Sequence, residues 1–169
     1  MKLPPDVIRY VITGHVVITF LINIGVNAVV GFVSFRGADS VSTWAIQNGA
    51  AADTIGTCFF LPFITCLIAT PIVRHQRKNG AVSGIPMAKI PHWLQAFNGW
   101  IVVRAFKFGL CTLALMAGPI YGGYWLLAAD SIAIASFLAF KTLFAASLGI
   151  LVTPLIAILE LAGPSADSV

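Results

Sequence analysis

Four apolar runs, each long enough to cross a bilayer, constrain this chain more than any other feature. They fall at about 7–32, 54–73, 109–127 and within 131–161. A spanning helix needs roughly 20 residues at ~1.5 Å of rise each. Charge is correspondingly scarce: 9% of the residues are charged and 59% are hydrophobic. A soluble domain needs more polar surface than this chain can supply. The expected fold is an all-α integral membrane protein, a four-transmembrane-helix bundle forming one domain over residues 1–169. The first run resembles a signal peptide only superficially. A signal h-region is ~7–15 residues, whereas this run is longer and carries His15, Asn23 and Asn27.

The basic residues give an orientation. Arg74, Arg77, Lys78, Lys89, Arg104 and Lys107 lie between or beside the second and third spans, and Lys2 and Arg9 flank the first. Only Arg36 and Lys141 of the 10 Lys and Arg fall elsewhere. The positive-inside rule makes the eight-residue side cytoplasmic. An even number of spans then places both termini there, in the inner membrane of a cell. Topogenesis accounts for this basic loop, so no nucleic-acid partner is expected; the expected partner is the lipid bilayer.

Two features near the third span bear on architecture. Trp93, Phe97 and Trp100 recur at helical spacing after Pro91, which predicts a short interfacial helix over about 91–103 anchored at the headgroups. Tyr121, Tyr124, Trp125 and Trp44 would form the opposite belt. There is also an internal echo. Arg9 and Gly14 at the start of the first span match Arg104 and Gly109 at the third, and Thr70-Pro71 matches Thr153-Pro154. That pattern suggests two tandem helical hairpins of like orientation, as in transporters built from parallel repeats.

Function should show in polar groups inside the membrane, which face a bundle interior or a cavity because lipid offers no hydrogen bonds. His15, Thr19, Asn23 and Asn27 follow one another at four-residue steps. Each step is about 400° of helix, so they form one polar stripe roughly 18 Å long. Asp53 and Thr57 open the second span, with Asp53 placed to cap its helix. Pro62 should kink that helix. Lys141 is the unusual cation. The plainer reading starts the fourth span near Thr142 and lets Lys141 snorkel to the interface. The other buries it, and Asp53 on the same membrane half is then its nearest partner.

Cys58, Cys66 and Cys111 have no metal-ligand spacing, and no catalytic motif occurs, so neither a metal nor an enzymatic role is expected. No cofactor is identified, although His15 is chemically able to ligate one axially. The residues point to a small transporter or channel moving a solute or ion. Their path would be His15, Thr19, Asn23, Asn27, Asp53, Thr57 and Lys141. The competing class is a non-catalytic accessory subunit of a larger membrane complex, and either would associate with copies of itself or with partners. For the orientation, a membrane-impermeant thiol reagent applied from outside should label Ser40→Cys and leave Ser83→Cys unlabelled. The reverse pattern would invert the topology.

Overall fold

The computed structural model describes residues 4–162; Lys2 lies outside them. Four helices are long and apolar enough to cross a membrane: Pro5–Ser34, Ala50–Lys78, Ile101–Leu127 and Ile134–Leu161. The first span is composite. It runs as α1 (Pro5–Tyr10), a π-helical section (Val11–Val17) and α2 (Ile18–Ser34). Pro5 sits in its first turn, where a missing N–H is harmless. The second, third and fourth spans are α3 (Ala50–Lys78), α5 (Ile101–Leu127) and α6 (Ile134–Leu161). Each tolerates internal proline: Pro62 and Pro71, Pro119, and Pro154.

Several boundaries differ from expectation, each for a local reason. α3 has Gly49 at its N-cap, four residues before Asp53, so Asp53 lies inside the first turn and does not cap it. The predicted 91–103 helix is a single helical turn, α4 (His92–Gln95). Gly99, at φ 140, turns the chain in a conformation that a side chain would resist. Residues 101–103 then belong to α5. The fourth span starts at Ile134, not near Thr142, because residues just before it are held in a strand.

That strand, β2 (Ser131–Ala133), pairs antiparallel with β1 (Ser40–Ser42), placing Val41 opposite Ile132. Thr43 extends the link, its hydroxyl donating to the Ala129 carbonyl at 2.6 Å and its N–H to the Asp130 carbonyl at 2.9 Å. Val41 packs with Tyr124 and Phe137 beneath. The links after the first and third spans therefore close one end of the bundle together.

The helices do not pack as tandem hairpins. α3 packs closely on α5 and on α6, and α2 on α6; the consecutive pairs α2–α3 and α5–α6 make few close backbone approaches, α5 and α6 meeting through long side chains such as Tyr124 and Phe140. The spatial order is first, fourth, second, third. Two glycines show why. A Cβ at Gly149 on α6 would strike the Asn23 amide and lie 3.2 Å from the Thr19 methyl group. A Cβ at Gly109 on α5 would come within 2.8 Å of the Phe59 ring on α3. Small residues let membrane helices approach where dispersion and hydrogen bonds must supply the attraction, and here they lie between non-consecutive spans.

The opposite, basic end is held by charge. Glu160, near the end of α6, accepts from Arg104 on α5 at 2.5 Å and from Arg74 on α3 at 2.9 Å. Arg77 donates to the Glu160 carbonyl at 3.3 Å, and Ile85 N–H to the Leu161 carbonyl at 2.9 Å. The loop between the second and third spans buries Val82, Ile85, Ile90 and Leu94 against Val7, Val73 and Leu161. Breaking the buried part of this cluster should be severe. Glu160→Ala leaves Arg104 buried without its counter-charge and should destabilise by about 3–5 kcal/mol. Arg74, whose side chain is 55% exposed, should be worth less than about 1 kcal/mol on truncation to alanine. Unfolding in detergent, followed for both variants, checks the contrast; equal losses would refute it.

Candidate functional site

Because the first span packs on the fourth and not on the second, a groove opens between the first and second spans, floored by α6. It encloses about 630 Å³. The first span contributes its wall from Tyr10 to Val30, and α3 from Thr57 to Gln76. Apolar side chains dominate, including Ile18, Ile22, Phe60, Ile64 and Ile68. Polar residues form a line along it: His15, Thr19, Asn23, Asn27, Thr57 and, on α6, Lys141 and Thr153.

The four-residue period thus places the whole stripe on the groove side of the first span. The two asparagines are tied to their own helix. Asn23 Nδ2 donates to the Thr19 carbonyl and Asn27 Nδ2 to the Asn23 carbonyl, each at 3.0 Å. Thr57 donates likewise to the Asp53 carbonyl at 2.9 Å. These bonds use one hydrogen of each group, which makes the side chains tolerable in lipid while leaving further hydrogen-bonding capacity.

Lys141 is buried, and the snorkelling arrangement is not the one found. Starting α6 at Ile134 carries Lys141 two turns into the helix, where its Nζ donates to Asp53 Oδ1 at 2.7 Å. The Phe35 ring lies 5.9 Å from the ammonium. Lys141 lines the groove and Asp53 reaches it only through Lys141. The pair cancels its own charge, so the groove presents hydrogen-bonding groups without a net charge.

At the basic end the groove is closed by Tyr10, whose hydroxyl donates to Gln76 Oε1 across the gap. Tyr10 also meets the His15 ring edge-on, with centroids 5.0 Å apart. Tyr10, Gln76 and Thr153 were not legible as site residues. Gln76 lies beyond the apolar window of its span, and only the Thr-Pro echo drew attention to Thr153.

The aromatic residues expected at the interfaces lie outside the groove. Trp93 and Trp100 are exposed at the basic end. Phe97 instead turns inward and stacks on Phe108 at 4.6 Å. At the other end Trp44 packs on Tyr121 at 5.1 Å, with Trp125 lining the same shallow surface. Among the described residues no three His, Cys, Asp or Glu gather as a metal site.

No protein-family model, curated protein or solved structure matches this chain. The Asp53–Lys141 pair offers a direct check on the site. Lys141→Met should destabilise by about 3–5 kcal/mol because it strands a half-buried carboxylate, and adding Asp53→Leu should recover most of that loss. Thermal unfolding of the two single variants and the double variant measures the coupling; additive losses would show that the pair is not interacting.

Proposed function

We propose that this chain is a small membrane transport protein whose substrate path is the groove between the first and second spans. The substrate class it fits is amphipathic and carries no net charge. One observation carries the reading: a line of polar side chains along a groove between two spans whose apolar walls, such as Ile18, Ile64 and Ile68, are exposed. From Tyr10 to Val30 the wall covers about 30 Å of helix, close to the thickness of a hydrocarbon core. A polar headgroup could follow the stripe while its chains stay in lipid. The charge balance argues against an ion as substrate. An ion would meet neutral dipoles and an ion pair already satisfied, which repay little of its desolvation. The groove holds no nucleophile paired with a base, so the reading is non-catalytic. The eight-to-two distribution of basic residues supports a cytoplasmic basic end.

A second reading has its own observation. Along most of its length the first span packs on the fourth alone, and few of its residues are fully buried. A helix of another protein laid in the groove would make the chain an accessory subunit, with His15 facing whatever cofactor that partner carried. Stoichiometric copurification of a larger assembly would favour it; a homo-oligomer would favour transport.

The transport test uses proteoliposomes containing a chain-labelled fluorescent phosphatidylcholine, with dithionite quenching of the outer leaflet. The protein should expose the inner-leaflet label to quenching. Two hydrogen bonds of about 1 kcal/mol each correspond to roughly 30-fold in rate. Asn23→Leu/Asn27→Leu should therefore lower the quenching rate at least about tenfold. The variant should remain inserted and folded, since both asparagine bonds lie within the first span's own helix, whose backbone hydrogen bonds do not need them. Unchanged flux from the folded variant would remove the stripe from the path.

A further inference from the structure

Two buried side-chain atoms in the wall of the groove make no hydrogen bond: His15 Nε2 and Thr153 Oγ1. His15 is 6% exposed and Thr153 is 2% exposed. A helical threonine ordinarily donates to the carbonyl four residues back, as Thr54, Thr57 and Thr112 do in this chain. Thr153 does not. Native structures rarely leave buried polar groups without a partner.

The two residues lie at matched depth. His15 is about 15 Å along the first span from Pro5, and Thr153 about 12 Å from the end of α6 at Leu161. Val7 and Leu161 pack in one cluster, so both distances run from the same end of the bundle. His15 sits in the π-helical section Val11–Val17, which packs on α6. Short π-helical stretches are uncommon and frequently mark functional positions.

A neutral imidazole with its proton on Nε2 and a threonine hydroxyl are both uncharged donors. They want an uncharged acceptor, and the exposed apolar walls that flank the groove, such as Ile18, Ile64 and Ile68 on spans apolar enough to cross a membrane, favour one that arrives through the bilayer. Beneath the headgroups the abundant group of that kind is the ester carbonyl of a glycerolipid. We infer that His15 and Thr153 form a hydrogen-bonding station for that carbonyl. The station deepens the transport reading by naming the part of the substrate that is gripped, and it rests on the groove being the substrate path.

Two phosphocholine lipids with the same headgroup and chain length, one diacyl and one dialkyl ether, isolate the carbonyl. The full-length protein, with 15N in its three histidines, is titrated with each in non-lipid detergent micelles. The His15 resonance is assigned by elimination with His75→Gln and His92→Gln, both on exposed residues. The diacyl lipid should shift the His15 Nε2 signal saturably, and the ether lipid should bind about fivefold or more weakly. Thr153→Val, nearly isosteric, should weaken the diacyl lipid by a similar factor and leave the ether lipid unaffected. Equal shifts from both lipids, no shift from either, or a diacyl response untouched by Thr153→Val would each overturn the station. Transport is read separately by the dithionite assay. A carbonyl-dependent shift without lipid movement would uphold the station and end the transport reading. Lipid movement without a carbonyl-dependent shift would do the reverse.

Discussion

The Glu160 carboxylate, shared between Arg104 and Arg74, is the contact on which the arrangement of the spans depends. It joins three of the four spanning helices at one end, and those helices have little else to choose one neighbour over another. Lipid is as apolar as leucine, so side-chain burial alone does not drive membrane helices together. A buried ion pair is a poor source of stability, but it discriminates strongly among arrangements, since any other leaves a charge uncompensated. With α6 fixed beside α3 and α5 at the basic end, and the paired strands β1 and β2 tying the other end, the second span is enclosed. The first span is left on the outer side of the fourth, and the groove is the space this leaves.

Much of this was legible in the sequence, at the level of composition and period. Apolar run length located all four spans, and the step of four residues placed His15, Thr19, Asn23 and Asn27 on one face. Asp53 was named as the partner Lys141 would need if buried. What failed was whatever depended on distant chain segments. Arg104 and Glu160 are 56 residues apart, and nothing local marks them as partners. Lys141 was placed at the interface because the start of its helix is set by a strand pairing with residues some 90 positions earlier, which no local pattern reveals. The Arg-Gly and Thr-Pro echoes suggested hairpins, yet they only record that like-oriented spans share boundary chemistry. The close approaches at Gly149 and Gly109 fit the order that the Glu160 contacts select, and they too join residues far apart in the chain.

The groove itself could not have been read from the stripe. A polar face on one helix is compatible with a tight helix interface or with an open channel, and the difference lies in whether a neighbour covers it. Here the fourth span covers only one edge of the stripe. Pro62 and Pro71 both sit within a continuous α3. The irregular backbone is in the first span, at the π-helical section around His15.

That the first span has its partner in the last has a consequence for synthesis. The chain emerges from its amino end, so residues 5–34 enter the membrane well before α6 exists. For that interval the first span stands alone in lipid with a histidine, a threonine and two asparagines on its surface. The local bonds from Asn23 to the Thr19 carbonyl and from Asn27 to the Asn23 carbonyl need no second helix. They let the span wait in the bilayer until its neighbour is made, and they make completion of α6 the event that gives the first span its packing partner.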